Sequence, residues 1–207
     1  MARFNCSAAI LVLISMLLSA CGTTRLTDTW QAPEFQRDDM KKVLVVAATS
    51  NTTNRVIFES TFAAELQKHG IDAIPSIKAI GDQAPTKEAV MAFVKQGTVD
   101  HVVAVKVGAF DIQVDRVPES VMTYYTGPYY APSLGGYWGA WGAGNTVTMT
   151  RESYIDTQTN VILTTSVYNT QTEQLDWGGR SKSFDVAAVS QIADELASQM
   201  VRHMKNR

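Results

Sequence analysis

The side chains able to do chemistry are few and scattered. Asn51, Asn54 and Arg55 sit in TSNTTNR, a polar run between an apolar strand-like segment and a helix-like one. Backbone N–H groups at a helix start, joined by an arginine, can hold an anion. The run lacks the glycine spacing of a phosphate cradle, so it competes with a plain N-cap. Asp111 and Asp115 stand four apart in DIQVD and would share the polar face of an alternating strand, as an acid–base pair or as two solvated carboxylates. His69, His101 and His203 fall at a helix end, a strand start and a helix end, and read as surface or cap residues. There is no Gly-x-Ser-x-Gly elbow and no histidine pair at metal-ligand spacing. No catalytic residue, metal or cofactor is therefore expected.

The most pointed chemistry lies at the amino end. Arg3 precedes an apolar run over 8–18, and Leu18-Ser19-Ala20-Cys21 follows. This is the layout of a secretory signal peptide, and the run is too short to span a bilayer, which takes about 20 apolar residues. Small residues before a cysteine, with leucine three positions upstream, resemble a bacterial lipobox. That resemblance implies cleavage before Cys21, a diacylglycerol thioether on its sulfur and an acyl chain on its new amino group; the alternative is an ordinary cut near Ala20. Gly22 rather than aspartate after the cysteine is similar to lipoproteins exported to the outer membrane. Each buried CH₂ contributes about 0.8 kcal/mol, so three chains hold where one does not.

The expected division is a lipoprotein signal over 1–20, a lipidated tether over 21–40 and one periplasmic domain over 41–207. With Cys6 removed and Cys21 acylated, no thiol remains for a disulfide, and stability falls to an apolar core. In the tether, Leu26, Trp30 and Phe35 are the large apolar anchors, and Trp30 is expected to pack on the domain. A formal charge of -2 gives no basic stripe for nucleic acid.

The elements that position these residues follow from periodicity. KVLVVAA is a buried strand. Phe58, Phe62 and Leu66 form a helix face that ends at Gly70. IDAIPS is a second strand, a helix runs from about Thr86 to Gly97, and HVVAVKVGAFDIQVD is a long third strand. Its apolar parity switches from Val103, Val105 and Val107 to Phe110, Ile112 and Val114, which predicts a bulge near Gly108 and Ala109. Threonine- and valine-rich strands follow, with a hairpin turn at NTQTEQ. A last helix spans about Val186 to Lys205, with Ser183 or Asp185 as its cap. The sum is an α/β (α+β) domain: one mixed sheet, βαβαβ followed by antiparallel strands and a C-terminal helix.

Between the third strand and those that follow, Ser120 to Thr150 carries no charge, and Tyr124 to Asn145 holds five of the seven tyrosines and two of the four tryptophans. So long a connection is unusual in a compact domain. Tyr124, Tyr125, Tyr129, Tyr130, Tyr137, Trp138 and Trp141 pair an apolar body with a hydrogen-bonding tip, as at interfaces and membrane boundaries. Three readings of this loop, 118–145, stand: a cover over its own sheet or a mobile segment, a docking surface for an envelope protein, and a contact with bilayer or glycan.

LTDTWQAPEF, the strand–helix–strand run from Lys41, the aromatic stretch and VILTTSVYNTQTEQLDWGGRSKSFD together resemble uncharacterised Gram-negative envelope lipoproteins over nearly the whole mature chain. The element order is similar to the Tol-system translocation protein's N-terminal part, the penicillin-binding-protein activator lipoproteins and the curli-secretion lipoprotein. A curli-type pore needs long alternating hairpins, and here Pro128, Pro132 and six glycines interrupt the corresponding region. Fold does not fix function; the lipobox, the absent catalytic constellation and the uncharged loop together point to a non-enzymatic, lipid-anchored envelope protein on the periplasmic side of the outer membrane, with the aromatic loop as contact surface. The rival is a binding or enzymatic domain for a cell-wall or small-molecule ligand at the polar ends of the first strands.

Overall fold

The computed structural model describes residues 23–49, 51–82, 84–114, 122–125, 133–136, 146–149, 157–184 and 188–204. Its centre is β2, Lys42–Ala48, whose Val43, Leu44, Val45 and Val46 are all fully buried. A strand apolar on both faces requires cover on both, which a parallel sheet between helices provides. β3 (Asp72–Pro75) and β4 (His101–Val114) flank it, both parallel to it.

The two faces of the sheet sort by parity. Val43, Val45, Val103 and Val105 pack with Phe58, Phe62 and Leu66 of α1 (Thr52–Lys68) and with Leu196 and Met200 of α4 (Val189–His203). Leu44, Val46, Val102 and Ala104 pack with Val90 and Val94 of α3 (Lys87–Val94). The short α2 (Ser76–Ile80) follows β3 directly. Gly70, at φ +82°, closes α1 in the left-handed conformation that a side chain would resist.

Beyond β4 the sheet turns antiparallel. β4 pairs with β7 (Thr157–Asn169), β7 with β8 (Leu175–Ser183), and β8 with β1 (Thr24–Gln31), giving the order β1-β8-β7-β4-β2-β3. This is the mixed-sheet α+β architecture the sequence implies. The register of β4 slips between Val107 and Ala109, where the parity switch requires it. The β7–β8 turn falls on NTQTEQ, and the Asn169 side chain accepts the N–H groups of Gln171 and Thr172. Trp177 lies fully buried over Gly179, where any side chain would collide with its ring.

Three expectations are corrected. Residues 24–31, expected within a tether that ends in an extended segment, are already an edge strand of the sheet. Trp30 stays half in solvent, 46% exposed, and the anchor that enters the core is Phe35, 5.7 Å between ring centroids from His101. The last helix starts at Val189 with Ala188 as N-cap and no side-chain cap bond. Ser183 is instead a buried strand residue whose hydroxyl meets that of Thr24 at 2.9 Å, and Asp185 lies outside the described residues.

Candidate functional site

Of the aromatic loop, the structure describes three pieces. Met122–Tyr125 (β5) and Thr146–Met149 (β6) form an antiparallel ribbon in which Tyr124 is opposite Val147 and Tyr125 opposite Thr146. Ser133–Gly136 reaches back to the β7–β8 turn. Ser133 bridges to Gln174, the Leu134 amide donates to the Glu173 carbonyl at 2.9 Å, and the Leu134 side chain is fully buried. Leu134 joins the core on the α3 side of the sheet, so the middle of the loop is anchored by an aliphatic residue that its aromatic composition did not single out. Tyr129, Tyr130, Tyr137, Trp138, Trp141 and Cys21 lie outside the described residues.

The polar residues at the start of α1 separate into two roles. Asn51 accepts the Asn54 amide at 2.9 Å, the N-cap bond that satisfies a free helix donor, and both side chains are exposed. Arg55 does not stand beside them facing solvent. It is 1% exposed, with Nε donating to Glu59 Oε1 at 3.0 Å and Nη2 to Ser76 Oγ at 2.7 Å. The Ser76 hydroxyl donates to Glu59 Oε1 at 2.6 Å, and the Ala47 and Ile77 amides donate to the two oxygens of the same carboxylate. Open α/β sheets commonly bind ligands outside the carboxyl ends of their parallel strands. Here that place, at the ends of β2 and β3, is filled by the chain's own ion pair. The spacing of Arg55 and Glu59, one helical turn apart, was the available signal.

His101 is the second buried polar site, and it corrects the expectation of a surface histidine. It opens β4 and is 2% exposed, with Nδ1 2.7 Å from Asp100 Oδ1 and Nε2 3.0 Å from Asp176 Oδ2. Burial pushes its pKa down, but the hydrogen bonds and charges of Asp176 and Asp100 outweigh that and raise it above its ordinary value. Ionised carboxylates accept only, so the two together favour the protonated ring, in which both nitrogens donate. Asp100 also accepts the Lys41 and Lys42 amides, which fixes the entry to β2. The arrangement is a structural clamp between β4, β8 and the start of β2. Asp111 follows the bulge on β4 opposite Asn160, and Asp115 lies outside the described residues.

The third site joins the amino end to the helix layer. Glu195 of α4 accepts the Thr24 amide at 2.6 Å and the Thr23 hydroxyl at 3.2 Å. Gln199, one turn on, accepts the Leu26 amide at 2.9 Å and donates to the Thr24 carbonyl. Two side chains thus cover the outer backbone of an edge strand that would otherwise invite pairing with another chain. On the other side of Thr23, its carbonyl accepts the Phe184 amide at 2.8 Å.

Among the described residues, no group of histidine, cysteine and acidic side chains is arranged to hold a metal ion, and no helix is long and apolar enough to cross a membrane. No family model and no curated protein matches the chain. Solved structures similar to it include the PelC dodecamer from Paraburkholderia phytofirmans, at 13% identity over 89% of this chain and 99% of that one, with a TM-score of 0.46. The lipoprotein GNA1162 from Neisseria meningitidis is 13% identical over 78% of this chain and 96% of that one, with a TM-score of 0.41. At these values the comparison is of chain path, and no residue role is carried across.

Proposed function

We propose that the chain is a lipid-anchored envelope protein without enzymatic activity, held on the periplasmic side of the outer membrane through Cys21, with the aromatic loop as the surface that receives an envelope partner. The observation that carries this reading is the binding of Thr23 and Thr24 by Glu195. Only two residues after Cys21, the backbone is already fixed to the domain. Acylation there would seat the domain directly on a lipid surface rather than let it range on a tether.

The rest of the molecule is consistent with a scaffold role. Within each of the two polar clusters, Arg55–Glu59–Ser76 and Asp100–His101–Asp176, the side chains bond one another, and Glu59 and Asp100 also accept backbone amides. The loop's anchoring through Leu134 gives its aromatic flanks a fixed root on the domain, the condition under which Tyr and Trp side chains serve as anchors in an interface.

A photo-crosslinking residue placed at 129 or 138 in intact cells tests the contact surface. A discrete protein adduct at both positions, identified by mass spectrometry and missing when the probe is moved to exposed Glu88 on α3, supports it. Absence of any adduct from 129 and 138 overturns it.

A further inference from the structure

We infer that Phe184, with Lys182 and Arg25 beside it, forms a bilayer-contact patch at the foot of the domain, a second hold on the membrane next to the acylated amino terminus. The inference rests on the lipid-anchor reading and adds the surface that faces the lipid.

Among the described residues, Phe184 is one of the few large apolar side chains left exposed, at 41%. It stands immediately beyond β8, and its amide is bonded to the Thr23 carbonyl. Two residues of chain reach at most about 7 Å, so a diacylglycerol on Cys21 cannot lie far from this backbone pair. An exposed ring at that distance from an acyl anchor is within reach of the headgroup region, where aromatic side chains gain by leaving water.

Two described charges beside it have the matching sign. Lys182 Nζ lies 5.1 Å from the centre of the Phe184 ring, a cation held over an aromatic face. Arg25 pairs with Lys182 across the β1–β8 ladder, so both project from the same side of the sheet, and Arg25 is exposed. Cations flanking an apolar side chain fit a surface of anionic phospholipid, whose phosphates they meet while the ring enters. The opposite end of these strands, the β7–β8 turn, carries polar Gln171, Thr172, Glu173 and Gln174, all exposed. The strands therefore run from a lipid-facing foot to a water-facing tip.

The test uses the full lipidated chain in vesicles of phosphatidylethanolamine and phosphatidylglycerol that contain a spin-labelled lipid as quencher. In this reading the acylated chain has no other thiol, so Phe184→Cys and Gln171→Cys each accept one environment-sensitive fluorophore. The expected result is several-fold stronger quenching and a blue shift at 184 relative to 171. Quenching at 184 that weakens when neutral phosphatidylcholine replaces phosphatidylglycerol supports the cation contacts, and insensitivity to that exchange overturns them. Intact mass of the same preparation reads acylation separately. An acylated chain whose label at 184 behaves like that at 171 overturns the contact patch and leaves the anchor standing, whereas an unacylated chain overturns both.

Discussion

The Glu195 carboxylate accepts the Thr24 amide at 2.6 Å, across 171 positions of sequence, and so ties the first strand of the sheet to the last helix. Replacing Glu195 with alanine removes that acceptor and the one for the Thr23 hydroxyl. The expected loss is about 1.5 kcal/mol, the low end for a charged acceptor because the site is only partly buried. Hydrogen exchange over residues 23–31 measures it, with faster exchange at the amino end of β1 and little change in β2.

Acid should loosen the same side of the molecule. Burial pushes the Glu65 carboxyl up, but hydrogen bonds from Lys68 and Ser198 outweigh it and hold its pKa down at about 2, below the ordinary 4.5. For Glu195, too, burial is outweighed by the bonds from Gln191, Thr24 and Thr23, and the pKa is lowered. A carboxyl with a lowered folded pKa stabilises in full above its unfolded value and loses that contribution as pH falls through the folded one. Urea midpoints should therefore decline between pH 4.5 and about 2, with a shallower decline in Glu65→Gln.

Alkali should act through His101. Its folded pKa is raised above 6.5, so its stabilisation is complete below that pH and is lost as pH rises through the folded value. Wild-type urea midpoints are expected to fall from pH 6 towards pH 9. His101→Gln should start lower at pH 6 and show no such slope over the same range.

Breaking the Arg55–Glu59 pair on one side only leaves a buried charge without its partner. Glu59→Ala is expected to cost about 3–5 kcal/mol, and a double replacement of Arg55 and Glu59 by leucine distinctly less than the sum of the single changes. Denaturant titration checks both, and membrane fractionation of the folded double variant should match wild type.

How far the sequence foretells this molecule depends on how local the signal is. The βαβαβ core was legible because β2, α1 and β4 announce themselves by parity and helical spacing, and the slip at Val107 to Ala109 is forced by the chain's own alternation. β1 was not legible: TRLTDTWQ alternates weakly, and its partner strand begins at Leu175. The same distance hid His101, whose second carboxylate, Asp176, is 75 positions away. Arg55 was picked out for its place at a helix start, yet its direction is set by Ser76, which arrives only when α2 folds against α1. The aromatic loop announced itself by composition, but the residue that roots it, Leu134, has no local pattern to mark it.

The lipid anchor at Cys21 is tested most directly by intact mass and membrane fractionation of wild type beside Cys21→Ser. The account predicts a wild-type chain that begins at Cys21, carries three acyl chains and sediments with the membranes, while Cys21→Ser stays unprocessed and unacylated. A serine variant that is processed as wild type is and partitions with the membranes to the same extent would contradict it.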